Sequence, residues 1–449
     1  MNSLRINDNS SKKKKEFSDI LNLTNKIVDK TLWQLEKEGI FVFPQILNDA
    51  EDITEEQMVL HSLNDSYYAE NVMGFIGYGD ERLIISSRFS DDNNDFFFQY
   101  LLETVIGMPN IVNLETDFDH DSYIFNILLF LFPIYLKAAM RKGVFKKYIR
   151  REYNNEAVKG TIDIARHIKL NTPFTGKIAY SQREFSYDNY LTELVRHTIE
   201  FIKQKPFGNN ILNKAKDEVK LILEATPGYQ QHSRQKIINE NTKNTIRHAY
   251  FREYLALQRL CLLILRHRKH RIGAGVRQIY GILFDGSWLW EEYINTLIGE
   301  KYNNTLNGNK FYHPMNKAEK NAQVLFNGKK GSGKIYPDFI SQNSSDRIIA
   351  DAKYKPDKNI GNKDYLQLLA YMFRFDSKIG YYLYSETENK ENKRLWLNKG
   401  SSYEHDIEPR NDISVTKLGL LIPSNTHSYL AFKEEIHNNE QAFKKIILK

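Results

Sequence analysis

Cysteine is nearly missing from this sequence: Cys261 is the single one among 449 residues, and it sits inside the apolar run Leu260–Leu265. A lone thiol can build neither a disulfide framework nor a cysteine-ligated zinc site, which points to a reducing, cytoplasmic setting. The twelve histidines include no H-E-x-x-H or other tight pair, so zinc chemistry lacks a donor set. Long hydrophobic runs are scarce as well. The longest, IFNILLFLFPIYL at 124–136, is interrupted by Asn126 and Pro133 and falls short of the roughly 20 residues of a membrane span. It reads as a buried core helix, and no membrane partner is expected. The lysines at 12–15 run straight into polar residues without the apolar core of a signal peptide, and they read as a solvated tail.

A credible nucleotide site is absent too. Gly328 to Lys334 fit the G-x-x-x-x-G-K frame of a P-loop, but Ile335 stands where a Ser or Thr hydroxyl would ligate Mg²⁺. Pro337 follows in β-rich sequence, so no helix begins there to aim its amides at phosphate. The glycines are then a connection between AQVLF (322–326) and IYPDFI (335–340), with Lys329, Lys330 and Lys334 as candidate contacts to a DNA backbone. No nucleotide is expected to bind this chain itself.

What is present describes a globular protein: 41% hydrophobic and 13% aromatic residues, with 27% charged. The formal charge of +7 permits contact with a polyanion without requiring it. Length predicts two or three domains. The expected division is a strand-rich N-terminal module over 1–118, a mainly helical middle over 119–272, and an α/β region over 273–449 whose mixed sheet is flanked by helices. VMGFIGYGDERLIISSRF (72–89) reads as a hairpin with Gly77, Gly79 and Asp80 at its turn. Helical periodicity marks 190–202 and 248–270. RHRKHR (266–271) fits the negative end of a helix dipole. In RKGVFKKYIRREYN (141–154), Lys146 and Lys147 alternate with Phe145, Tyr148 and Tyr153, which leaves this predicted helix face open between a solvated surface and a DNA contact.

Chemistry concentrates after residue 280. IYPDFI and RIIADAKYK are joined by the polar loop SQNSSD, which suits a hairpin that brings Asp338 to Asp351. Strand side chains alternate between faces, so Asp351 and Lys353 project together while Ala352 points away. Charges in strands this apolar need partners, because burying an unpaired charge costs several kcal/mol. Upstream, the helix SWLWEEYINTLI turns Glu291 onto its inward stripe with Ile294 and Ile298, and Glu292 onto the polar face beside Asn295. Downstream, a helix carries Gln367, Tyr371 and Arg374 on one face, next to an expected core stripe of Leu366, Leu369, Ala370 and Phe373.

This constellation resembles the PD-(D/E)xK nuclease superfamily, above all the branch in which a Q-x-x-x-Y helix follows the D-x-K strand. Phosphodiester hydrolysis calls for a hard, oxygen-liganded cation. The resemblance implies Mg²⁺, for which Mn²⁺ can substitute, held by Asp338, Asp351 and the Ala352 carbonyl, with Glu291 as a third carboxylate. Lys353 would orient the attacking water or stabilise developing charge, Gln367 would support it, and Tyr371 and Arg374 would face the scissile strand. Together with VMGFIGYGDERLIISSRF, VKGTIDIARHIKLN (158–171) and ILFDGSWLWEEYI (282–294), these motifs look like the McrC family over roughly 70–385. That family comprises the nuclease subunits of McrBC-type restriction systems, and LlaJI-type systems use similar ones. The likeness implies an endonuclease subunit that defends against foreign DNA and works with an AAA+ GTPase of McrB type. Lys159 to Asp163 stay open between a partner contact and a turn permitted by Gly160. Two other readings remain at this point: a noncatalytic regulator of an AAA+ motor, and a stand-alone repair nuclease of the same superfamily.

Overall fold

The computed structural model describes residues 2–43, 57–91, 94–106, 120–205, 207–246, 249–267, 279–300, 309–313, 323–327, 333–343, 346–400 and 408–449. The fold is mixed α/β. It divides into two compact units, residues 1–116 with 273–449, and residues 117–272. This differs from the three consecutive regions expected, for a specific reason. The strand Ile279–Asp285, at the head of the C-terminal stretch, is inserted into the N-terminal sheet between Val72–Tyr78 and Phe41–Phe43. The expected boundaries near 118 and 272, the glycines of 328–331 and the basic run from 268 to 271 lie outside the described residues.

That first sheet has five strands in the order Asn2–Asn7, Glu81–Ser86, Val72–Tyr78, Ile279–Asp285, Phe41–Phe43. The predicted hairpin forms, with Tyr78 opposite Glu81 and Gly79 at φ +59° in the turn. Gly77 belongs to the strand rather than the turn. The two central strands approach so closely that a Cβ on Gly74, already at φ +136°, would lie 2.1 Å from the Ile282 carbonyl oxygen. Only glycine fits there. Ile6, Ile76, Leu83 and Leu283 anchor the apolar core beside this sheet.

The second sheet of the same unit has six strands, in the order Phe311–Tyr312, Phe339–Ser341, Ile348–Lys353, Ile379–Glu386, Pro409–Leu421, Lys393–Asn398. Its first two pairings are antiparallel, and the next two are parallel. SQNSSD does join a hairpin, with Phe339 opposite Ala350. The parallel step from the Asp351 strand to Ile379–Glu386 runs through the helix Asn362–Arg374, as a parallel crossover requires. The helix Gly286–Ile298 starts from an Asp285 cap, whose carboxylate accepts the amides of Ser287 and Trp288. It is fixed to the sheet by the Trp290 indole, which donates to the Leu383 carbonyl at 3.0 Å. The C-terminal helix Tyr429–Ile447 packs nearby, its buried Glu440 accepting from the hydroxyls of Tyr100 and Tyr293.

In the second unit the helices His120–Met140, Tyr190–Lys203 and Arg252–His267 bear out the helical reading of those segments. RKGVFKKYIRREYN corrects it. Lys147–Asn155 is a strand in a three-stranded antiparallel sheet with Ile178–Ser186 and Thr161–Ile162. Ile149, Arg151 and Tyr153 alternate inward against exposed neighbours, a period of two rather than 3.6. Gly160 permits close approach: a Cβ there would sit 2.2 Å from the Ser181 carbonyl oxygen. Asp163 caps the helix Ile164–Leu170 by accepting the Arg166 amide. Among the described residues no helix is long and apolar enough to cross a membrane.

Candidate functional site

Pro337 separates the short strand Lys334–Ile335 from Phe339–Ser341, and Asp338 stands at this break. Its side chain is 5% exposed, and Oδ2 accepts the Ala352 amide at 2.9 Å. One carboxylate thus ties its own strand to the middle of the D-x-K strand. Asp351, 3% exposed, shares a face with Lys353 as the strand period requires, and the Lys353 ammonium lies 2.7 Å from Asp351 Oδ2. Burial alone would lower the Lys353 pKa, but the charges of Asp351, Asp338 and Asp364 raise it above the ordinary lysine range. Lys353 is therefore a cation and not a base at neutral pH.

These groups line a cleft of about 330 Å³ together with Glu291, Ala352, Gln367 and Tyr371, all seven drawn from the sequence expectation. Glu292 turns aside and meets His313 Nε2 at 3.4 Å. His313 is buried, stacks on Phe339 with ring centroids 4.9 Å apart, and bonds through Nδ1 to the Asp338 carbonyl oxygen at 2.8 Å. Burial opposes its protonation, yet Glu292, Glu291 and the Asp338 carbonyl together raise its pKa. The Gln367 amide donates to the Tyr371 hydroxyl at 2.6 Å, and burial pushes that phenol up to about 12, leaving it neutral.

The expected core stripe of the Gln367 helix is corrected in part: Leu369 does pack against the core, but the two ends of the stripe do not. Leu366 and Phe373 are 70% and 89% exposed, while Leu368, Tyr371 and Met372 face the sheet. Both faces carry apolar residues, and packing selects the one that includes the tyrosine. Arg374 donates from Nε to the Val324 carbonyl at 2.7 Å, bracing the small hairpin in which Val324 pairs with Lys334. Lys146 and Lys147 belong to the second unit. There Lys146 lies 4.1 Å over the Tyr187 ring, and Arg183 covers Tyr148, which pairs with Phe185.

Sequence reasoning missed Asn71, Lys355, Tyr336 and Asp364 in the cleft, and His313 beside it. Lys355 continues the alternation 351, 353, 355, and Asp364 follows Gly361 at the capping-box position, so both left a local signal. Asn71 left none, because it reaches the cleft only through the pairing of distant strands.

Among the described residues no three His, Cys, Asp or Glu side chains already converge as a metal cage. The donor chemistry nonetheless suits a hard cation: two carboxylates, each more than nine-tenths buried, face one polar cleft with a third at its wall.

Residues 68–385 match the family described as McrBC 5-methylcytosine restriction system component. No curated protein matches the chain. Among solved structures, the chain is similar to one in a refined half-complex of a tetradecameric assembly of Thermococcus gammatolerans McrB AAA+ hexamers with bound McrC. Identity is 14% and the TM-score 0.49, covering 99% of this chain and 100% of that one. A chain of the Thermococcus gammatolerans McrBC complex matches at 14% identity and a TM-score of 0.27, over 65% of this chain and 86% of that one.

Proposed function

The chain belongs to the family of McrBC 5-methylcytosine restriction system components, and from this premise we propose that it is the nuclease subunit. In this reading it is a PD-(D/E)xK enzyme that hydrolyses DNA phosphodiester bonds in defence against foreign DNA. The observation that carries the reading is the buried pair Asp338 and Asp351 in one cleft with the ammonium of Lys353.

Asp338, Asp351 and the Ala352 carbonyl would hold Mg²⁺ or Mn²⁺, with Glu291 at the wall. Bound there, the ion supplies Lewis acidity to the phosphate and its attacking water. The Ala352 amide holds Asp338 in place, so its carboxylate is oriented before substrate arrives. Lys353, fixed as a cation, donates to oxygens that gain negative charge in the transition state. Tyr371 is a neutral donor at the same wall, and Gln367 sets its orientation.

The nucleotide-driven step belongs to a separate AAA+ GTPase of McrB type, because Ile335, in the short strand Lys334–Ile335 where a P-loop needs a Ser or Thr opening a helix, denies this segment that role. For the contact with that partner we assign the helix Ile164–Leu170 of the second unit. It buries none of its residues and leaves Ile164, Ile168 and Leu170 at 70%, 59% and 52% exposure. The test is DNA cleavage with partner, GTP and Mg²⁺ by wild type and Asp351→Ala, with the partner's GTPase rate measured alongside. Loss of cutting with stimulated GTPase retained is expected. Undiminished cutting would overturn the nuclease assignment and favour a regulator.

A further inference from the structure

Lys353 stands between two carboxylates that differ in what else holds them. Its ammonium is 2.7 Å from Asp351 Oδ2 and 3.8 Å from Asp364 Oδ1. Asp351 is the group a divalent cation would need, and two positive charges cannot share its oxygen closely in a buried site. The ammonium also cannot simply be released to water, because the Lys353 side chain is only 18% exposed.

Asp364 is already built to receive it. It occupies the first turn of the helix Asn362–Arg374, and its Oδ2 accepts the Gly361 amide at 2.9 Å. The Lys355 ammonium bonds both of its oxygens, at 2.9 and 2.8 Å. Moving Lys353 from 3.8 Å to bonding distance takes a shift of about 1 Å, within reach of lysine's terminal torsions. Lys355 is more exposed, so it can yield one of its two bonds and turn to solvent.

We propose that Asp364 is a second seat for Lys353: when a divalent cation occupies Asp351, the ammonium transfers from Asp351 to Asp364 and stays in the cleft. Asp364 is thus a positioning residue that sets how readily the cation enters. This rests on the reading of Asp338 and Asp351 as cation ligands.

The test is Mn²⁺ binding to the full chain by titration calorimetry, in wild type, Asp364→Asn, Lys353→Met and the double variant. Asparagine keeps the capping oxygen, and Asp364→Ser serves as a second variant if it fails to fold. Asp364→Asn is expected to weaken Mn²⁺ binding about 10- to 100-fold, because the displaced ammonium has no seat. In the Lys353→Met background the same change is expected to shift affinity less than about twofold, since no ammonium remains to be moved. Equal weakening in both backgrounds, or unaltered affinity of Asp364→Asn, would overturn the second seat while leaving the cation site standing. Wild type that binds no Mn²⁺ would overturn the cation site, and the second seat with it.

Discussion

The six-stranded sheet of the first unit and the three-stranded sheet of the second are both rich in charge, and they treat it in opposite ways. In the former, Asp338 and Asp351 are almost wholly removed from water, and the charges around them are held by named partners. In the latter, Lys147, Arg150 and Arg183 face solvent, Arg183 lying over the Tyr148 ring and Arg150 donating to the Ser181 hydroxyl, while the half-buried Arg151 pairs with Asp188. Charge on a solvated sheet costs little and forms a surface for another molecule. Charge at the end of an apolar strand opposes folding unless it is compensated. On the proposed reading, the first sheet carries the chemistry and the second offers a surface to another molecule.

The most damaging way to probe this contrast is Asp338→Asn, which keeps shape and removes charge. Cleavage should fall about 10³-fold or more, and the thermal midpoint should not drop by more than a few degrees. A collapse in stability equal to the loss of activity would mean that the carboxylate is structural. On the second unit, Ile164→Asp with Ile168→Asp should cut partner-driven cleavage by about 100-fold while leaving the midpoint unchanged, because both residues are exposed. Partner binding at wild-type strength would remove the holding role from that helix.

A smaller effect is expected from Lys146→Ala with Lys147→Ala. DNA affinity should weaken several-fold, and the slope of log affinity against log salt should shrink by about 2. An unchanged slope would exclude these lysines from DNA. The mildest probe is pH. His197, buried in the helix Tyr190–Lys203, is lowered to about 4 by burial and then by Arg234 and Arg196. The unfolded chain binds that proton more readily, so stability of the second unit is full above about pH 6.5 and is lost as pH falls toward 4. Melting at pH 7 and pH 5 should differ by a few degrees, and His197→Asn should flatten the difference.

How far the sequence reached depended on the range of the interaction. Asp351 and Lys353 were legible because strand alternation is a two-residue rule, and Glu291 because helical phase separates it from Glu292. Mixed α/β character and the family followed from the same local motifs, and the family match bears the likeness out. The basic stretch 141–154 reads as a helix face by its charges, whereas burial along 147–155 has the two-residue period of a strand. Leu366 and Phe373 misled because apolar content does not say which of two faces packs. The strand Ile279–Asp285 inside the N-terminal sheet, Asn71 in the cleft, and the strand Pro409–Leu421 all depend on pairing between distant segments, which no local pattern encodes.

The proposed chemistry requires Asp338 and Asp351 to hold one cation. A crystal of the full chain soaked in Mn²⁺ and measured for anomalous scattering should show a peak within about 2.5 Å of carboxylate oxygens from both residues. A cleft with no peak, or a peak ligated by neither aspartate, would contradict it.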